Sequence, residues 1–497
     1  MFKAKPIFYS ALLLTGVNLL LRFVGTSFQV YLSARIGAEG IGLLQLVLSV
    51  GSMTMVAGMA GIRTATMYLT AEELGRGHPG RIPWVLSGCF TYSILISGAI
   101  ALGVHLAAPF LARSWIGNTE TLPSIRLFAA FLPVNCLTGV MVGYFTGAQR
   151  IGTLAAVEVA EQGTSMIATL ALLTFWAGQD AAKCAMAVVM VSGIAGCLTL
   201  GCLVFLRLRE RTRPEPRIPM ARRLAAVALP LALADDVKTG INTVENLMVP
   251  RRLALYNGIS SPLAAFGLVS GMVFPILMFP ACILYGLAEL LIPELARCAA
   301  AGSRDRIHYL VRRSLKTALL YGVLMGGGLF LLAEPLCMAL YGNPEAGRQL
   351  RLYTLLIPML YCDSITDAMT KGLGQQKICV RYNILTSFLD VVFLYILLPE
   401  YGMMGYFISF FLTHLLNFVL SLRRLLKITG ESVPFHIPAL SLAAAMASAW
   451  AAGHVTGLVG PVMVYPIILY CLLYLLGVIR REDLRWLKGM ITRKTPC

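Results

Sequence analysis

The sequence is poor in charge. Of its 497 residues only 13% are Asp, Glu, Lys or Arg, about half the share of a soluble domain. Meanwhile 58% are hydrophobic and the mean hydropathy is +0.76. So few polar groups cannot cover a globular surface, which excludes a soluble fold and makes lipid the solvent for most of the chain. Metal and disulfide patterns are also lacking. The 12 cysteines sit almost all inside apolar runs, with no CxxC and no Cys/His cluster, so they read as small packing residues. Long polar segments are missing too: the longest stretches between apolar runs are near 207–225, 293–309 and 481–497. No DxD motif, metal cluster or large external loop is present. The expectation is therefore that the chain is not an enzyme; a membrane glycosyltransferase or polymer ligase ranks last among the readings.

Apolar runs are what the chain has in abundance. A helix needs about 20 apolar residues to cross a bilayer, and about fourteen stretches qualify, among them 6–32, 41–62, 263–292, 350–371, 379–398, 403–424, 436–456 and 460–480. The first resembles a signal peptide, with Lys3 and Lys5 before an apolar run, but no small-residue cleavage site follows and Arg22 comes next; it is expected to be retained as the first membrane helix. Alternating the loops puts about thirty Lys and Arg on one side and about eight on the other, which predicts a multi-pass protein of the cytoplasmic membrane with both termini in the cytoplasm. The net charge of +17 is then an orientation signal and a contact with anionic membrane lipids, and no nucleic-acid partner is expected.

The runs repeat. LFAAFLPVNCLTGVMVGYFTGAQR, from Leu127, returns 225 residues later as LYTLLIPMLYCDSITDAMTKGLGQQK. Gly42 keeps the same offset with Gly267, Gly61 with Gly286, Arg126 with Arg351, Pro133 with Pro358 and Gly147 with Gly372. An internally duplicated bundle is a common plan of secondary transporters. The predicted fold is an all-α integral membrane protein with about 14 helices in two six-helix lobes and two C-terminal helices. Its parts are a first lobe at 1–206, a basic linker at 207–225, a second lobe at 226–428, and two helices with a basic tail at 429–497. A monomer is expected.

Charges and polar stripes inside these runs are the candidate site, because a charge at mid-membrane costs several kcal/mol and defaults to a cavity or pathway role. The first helix carries Asn18, Arg22 and Gln29 at helical spacing, and the second carries Gln45, Ser49, Ser52 and Arg63. Arg63 reads equally as a cavity cation or a snorkelling interfacial arginine. The seventh carries Asp235, Asp236, Lys238, Asn242, Glu245 and Asn246; Asp235 and Lys238 at i,i+3 are either a site or a self-neutralising pair. The tenth holds Asp363, Asp367 and Lys371, with Asp367 and Lys371 spaced for an ion pair. The eleventh offers Asn383, Thr386 and Asp390, oxygen ligands that with a carboxylate of the seventh helix suit Na⁺ or H⁺. Glu158, Glu161, Gln162 and Ser165 stripe the fifth, as cavity lining or as packing. Pro133, Pro275, Pro280 and Pro358 interrupt spans, and Gly143 and Gly147 read as close-packing residues.

GIRTATMYLTAEELGRG (61–77), ENLMVPRRL (245–253), FPACILYGLAELLIPELARCAAAG (279–302) and GLGQQK (372–377) are similar to segments of the stage V sporulation protein B group. That group belongs to the multidrug/oligosaccharidyl-lipid/polysaccharide flippase superfamily and is related to the lipid II flippases. The resemblance implies transport of a polyprenyl-pyrophosphate-linked sugar, such as a peptidoglycan precursor, in sporulation or vegetative wall synthesis. It implies that Arg22 is one of the cavity arginines that hold pyrophosphate; Asn18, Gln29, Gln45, Ser52, Arg63 and Lys238 are expected to line the same cavity from their polar character within apolar runs. Position 63 departs from the group, which often has proline there. The resemblance also implies a sodium site, carried onto Asp235 or Asp236 with Asn383, Thr386 and Asp390, and no other cofactor. The alternative within the superfamily is a cation-coupled multidrug antiporter.

Overall fold

The computed structural model describes residues 4–177, 180–209, 215–216, 221–431, 436–455 and 459–479, and within these every regular element is helical. Among the described residues six helices are long and apolar enough to cross a membrane, or seven if one bent pair is a single span. Residues 210–214 and 217–220 of the linker and the C-terminal tail from 480 onward fall outside the described residues.

Two helices are too long to be single spans. α1 (Ala4–Met59) has 56 residues and α14 (Gln376–Thr429) has 54; at about 1.5 Å per residue each runs to about 80 Å, far beyond a hydrocarbon core of about 30 Å. Each turns at a glycine. Gly37 has φ 74° and Gly402 has φ 57°, values that a residue with a Cβ resists. Both turns lie between stretches that read as separate spans in the sequence, 6–32 with 41–62 and 379–398 with 403–424.

The helices cluster into two compact units, Met1–Met272 with Asn383–Ser409, and Val273–Tyr382 with Phe410–Cys497. The first contains α1, α2 (Ile62–Gly75), α3 (Ile82–Phe110), α4 (Leu122–Gly147), α5 (Ile151–Leu172), α6 (Ala181–Leu208), α7 (Ala221–Leu253) and α8 (Pro262–Gly267), with the middle of α14. Its core gathers Ile62, Leu69, Leu86, Val140 and Phe145 from α2, α3 and α4. α4 lies on α2 through the two glycines that the sequence marked. A Cβ at Gly143 would collide with the Arg63 carbonyl oxygen, and one at Gly147 would stand 2.5 Å from that of Met67. Such contacts substitute for a hydrophobic drive that lipid does not supply. Gly143→Leu should separate α2 from α4 and lower the melting temperature by several degrees in detergent, on the scale of about 1–3 kcal/mol for overpacking; an unchanged melting curve would show that this contact is dispensable.

The second unit contains α9 (Phe274–Met278), α10 (Ala281–Ala300), α11 (Arg304–Tyr341), α12 (Pro344–Thr354), α13 (Ile357–Gly372), the end of α14, α15 (His436–Gly453) and α16 (Val459–Leu475). The stretch 263–292 reads as one span in the sequence, but the chain bends by 62° between Pro262–Met278 and Ala281–Ala288. Proline supplies the cause, since Pro280 has no N–H to continue the ladder. Two tyrosines add side-chain donors to backbone carbonyls beside the bend: Tyr321 donates to Pro280 O at 2.8 Å and Tyr361 to Leu277 O at 3.3 Å. The stretch 350–371 is likewise divided, with Pro358 in the first turn of α13. α16 docks on α11, where the Tyr465 ring lies against Gly327 and its hydroxyl donates to Val323 O at 2.6 Å.

Candidate functional site

Polar residues of α1, α7 and α14 meet inside the first unit. Ser49 is the junction between α1 and α7. Its hydroxyl accepts a hydrogen bond from Asn246 Nδ2 at 3.0 Å, and its carbonyl accepts one from Thr243 Oγ1 at 3.2 Å. Gln45 and Ser52 flank it: Ser49 Oγ donates to the Gln45 carbonyl at 2.8 Å, and Ser52 Oγ to that of Ser49 at 2.9 Å. The i,i+3 and i,i+4 spacing that made this a stripe in the sequence turns it toward α7. Gln45 is half-buried and Ser52 exposed; Arg63 is exposed on α2, Gln29 is half-buried before the turn at Gly37, and Lys238 is exposed on α7. The side chains of Asn18, Arg22 and Asp235 lie outside the described residues.

α7 and α14 are joined by carboxylates. Glu245 of α7 and Asp390 of α14 are in side-chain hydrogen-bond contact, and Ser409, past the Gly402 turn, donates to Asp390 Oδ1 at 2.5 Å. A hydrogen bond between two carboxyl groups requires a proton on one of them, or a cation in its place. Asp390 is only 8% exposed and Thr386, one turn earlier on the same face, 6%. A second tie fixes the register of the two helices: Arg252 Nε and Nη2 donate to Tyr395 O at 3.1 and 2.8 Å, and the guanidinium lies 3.7 Å from the centroid of the Tyr395 ring.

The residues named from the sequence are therefore only partly brought together. Asn383, Thr386 and Asp390 share α14, where Thr386 Oγ1 donates to Asn383 O at 3.2 Å. Asp236 stands elsewhere, facing Tyr92 of α3, whose hydroxyl donates to Ala60 O at 3.2 Å. It lies nine residues before Glu245, about 13 Å along the helix axis, so the carboxylate that α7 presents to Asp390 is that of Glu245. Glu245 and Ser409 are the members missing from the sequence-derived set. For Glu245 the available signal was its place on an intramembrane stretch beside Asn242 and Asn246; for Ser409 there was none. In the second unit, Asp363 accepts from Asn417 Nδ2 at 3.1 and 3.0 Å, while Asp367 and Lys371 form the ion pair their spacing suggested, at 2.6 Å.

At one end of the first unit, charged groups tie Glu215 and Arg223 to α2 and the turn that follows it. Glu73, whose side chain is fully buried, pairs with Arg223 at 2.8 Å and Arg81 at 3.5 Å, and Glu72 pairs with Arg223 at 2.8 Å. Glu215 binds Arg81 at 3.2 Å and His78 at 3.0 Å, and its carbonyl accepts from Trp84 Nε1 at 2.9 Å. Beside this cluster a Cβ on Gly61 would stand 2.5 Å from Ala228 O, so α7 runs tight against the α1–α2 junction.

Residues 7–281 match the polysaccharide biosynthesis protein family, and residues 253–396 match the MatE family. The chain belongs to the polysaccharide biosynthesis protein family. It is thereby a multi-pass membrane protein of the multidrug/oligosaccharidyl-lipid/polysaccharide flippase superfamily. It is 22% identical over 408 residues to stage V sporulation protein B of Bacillus subtilis (strain 168), covering 79% of this chain and 78% of that protein. With sporulation protein YkvU of the same organism it shares 22% identity over 385 residues, 74% of this chain and 82% of that one. Its fold is similar to the lipid II flippase MurJ in an inward closed conformation (TM-score 0.69, 14% identity, 93% of this chain and 98% of that one). It is also similar to an inward-facing multidrug resistance MATE family transporter (TM-score 0.68, 15% identity, 85% and 100%).

Proposed function

We propose that this member of the family moves a lipid-linked oligosaccharide or peptidoglycan precursor across the cytoplasmic membrane by alternating access, without covalent chemistry. In this reading about fourteen helices form two six-helix lobes and two appended helices, with both termini in the cytoplasm. The observation that carries it is the match to the polysaccharide biosynthesis family over residues 7–281. The physical requirement agrees with the residues available. A pyrophosphate-sugar head group cannot enter hydrocarbon unaided; it needs a hydrated cationic path while its polyprenyl tail stays in lipid. Arg22 is the proposed phosphate ligand, since a guanidinium stays charged and gives paired hydrogen bonds to phosphate oxygens. Asn18, Gln29, Gln45, Ser52, Arg63 and Lys238 are the proposed polar lining. Glu245, Thr386, Asp390 and Ser409 are the proposed coupling-ion site, taking Na⁺ or H⁺ between the two carboxyls.

Arg22→Ala should abolish flipping in a complementation assay while leaving expression and melting unchanged, and Arg22→Lys should restore part of it. Full activity in the alanine variant would remove Arg22 from the path. The second reading, a cation-coupled multidrug antiporter, is favoured by the MatE match over residues 253–396. A binding screen of the purified protein separates the two: saturable binding of lipid-linked sugars supports the flippase, and binding of lipophilic cations alone supports the antiporter.

A further inference from the structure

α11 is longer than the membrane it crosses. Its 38 residues (Arg304–Tyr341) rise about 57 Å. Residues 317–341 alone, at about 37 Å, exceed a hydrocarbon core of about 30 Å. Residues 304–316, RDRIHYLVRRSLK, therefore stand at or beyond one membrane surface. At 3.6 residues per turn, Arg306, Tyr309, Arg312, Arg313 and Lys316 fall within about a third of the circumference. They lie opposite Val311 and Ser314, which are buried. Arg306, Tyr309 and Arg312 are exposed, and the Arg306 guanidinium lies 5.6 Å from the centroid of the Tyr309 ring.

A buried carboxylate holds this stripe from behind. Glu431, just past the end of α14, has a side chain only 1% exposed. It accepts from Arg312 Nε at 2.7 Å and stands 2.7 Å from His308 Nδ1. Nε is the only Arg312 nitrogen with a hydrogen bond to a described residue, and 69% of the side chain stays exposed. A guanidinium fixed in this way keeps the rest of its donor fork for a phosphate and loses little freedom on binding one. Charge is in surplus around it. Residues 294–316 carry six Lys and Arg against Glu294 and Asp305, and Glu294 already pairs with Arg297 and, at 3.8 Å, with Arg306.

The neighbouring helices mark the level of the membrane. α15 starts beside Glu431 and packs along α11, and α16 returns after a short loop, antiparallel to α11. Tyr465 of α16 is level with Val323 through its hydroxyl bond. Counting from there, one residue against one, brings Tyr474 and Leu475 level with Ser314 and Arg313. Leu475 is 79% exposed. Exposed apolar surface beside the stripe belongs to the hydrocarbon edge, with Tyr309 and the arginines at the head groups. That position selects a lipid over a soluble anion.

We propose that the α11 stripe binds the phosphodiester head group of an anionic phospholipid of the inner leaflet, through Arg306, Arg312, Arg313 and Lys316. The leaflet follows from the Lys and Arg count; neither the transported substrate nor the coupling ion enters the proposal. The purified protein is melted in micelles doped with phosphatidylglycerol or phosphatidylcholine. Phosphatidylglycerol should raise the melting temperature by several degrees and phosphatidylcholine should not. Arg306→Gln, Arg313→Gln and Lys316→Gln together should move the midpoint of the phosphatidylglycerol response on the order of a hundredfold, about fivefold for each cation. Arg312 is kept, because its loss would leave Glu431 buried without it. Each protein is compared with its own lipid-free melt, so a lowered baseline does not obscure the response. Lys377→Gln with Arg381→Gln, which removes two exposed cations elsewhere in the second unit, should leave the midpoint in place.

No rise with phosphatidylglycerol in the unsubstituted protein overturns the site, as does an unmoved midpoint in the triple variant. An equal shift per charge in the Lys377 and Arg381 variant reduces the effect to bulk charge and also overturns it. Equal stabilisation by water-soluble glycerol phosphate overturns the lipid and makes the stripe a docking face for a soluble anion.

Discussion

With the proposed ion site at Asp390, Asp390→Asn should abolish any sodium- or proton-dependence of stability, whereas Asp236→Asn should preserve it. This outcome follows from the placement of the two aspartates. Asp390 touches Glu245 and receives the Ser409 hydroxyl at 2.5 Å; Asp236 faces Tyr92. If Na⁺ is the ion, a hundredfold excess over its Kd stabilises the folded protein by about 2.7 kcal/mol. That should raise the melting temperature of the purified protein by several degrees in NaCl relative to KCl. Asp390→Asn and Glu245→Gln each remove one of the two carboxylates that would ligate such an ion, so both should lose the shift. If H⁺ is the ion, NaCl and KCl give the same melting curve, and the dependence appears as a change of stability with pH that both variants flatten. Coupled transport should fall on the order of 10- to 100-fold in each variant, the usual size of a coupling energy of 1–3 kcal/mol. A shift that survives in Asp390→Asn but disappears in Asp236→Asn would move the ion site to the position of Asp236.

The contrast between these aspartates shows what one sequence can and cannot carry. Periodicity along a helix is local information: residues three or four apart share a face. The stripe of Gln45, Ser49 and Ser52 was readable for that reason, and so was the Asp367–Lys371 pair at i,i+4. The turns at Gly37 and Gly402 fall between apolar runs whose lengths already demanded a break. Gly143, Gly147 and Gly42 with Gly267 were marked by spacing or by the repeat, and all four lie at close backbone approaches. Contacts between helices are not local. Nothing in α7 states whether Asp235, Asp236 or Glu245 will face α14, because the choice depends on the axial register of two helices more than a hundred residues apart. That register is set by contacts such as Arg252 on Tyr395. Asp363 likewise carried no mark of Asn417, 54 residues away. Ser409 was silent because a lone serine on an apolar helix usually bonds to its own backbone; only the Gly402 turn brings it back to Asp390.

Arg223→Ala should cause the largest loss of stability of any single substitution considered. Arg223 binds two carboxylates at once, Glu72 and Glu73, each at 2.8 Å, and the Glu73 side chain is fully buried. Removing one partner of a buried pair leaves an uncompensated charge and costs about 3–5 kcal/mol. The lower end applies here, because Arg81 remains 3.5 Å from Glu73 and the Arg223 side chain is 29% exposed. Arg223→Lys separates charge from geometry. An ammonium can neutralise one carboxylate but cannot bridge both with a planar fork, so it should recover less than half of the loss. Glu73→Gln should be milder than Arg223→Ala, since a neutral amide in the buried position needs no cation and Arg223 retains Glu72. Melting curves of the four proteins in low and high salt would check this order. Exposed pairs are screened by salt and this buried one is not, so the differences should persist at high ionic strength. If Arg223→Ala melted with the unsubstituted protein, the cluster would be a solvated surface pairing, and the tight run of α7 along α2 would rest on the apolar packing of Leu224 and Ala228 and the close approach at Gly61.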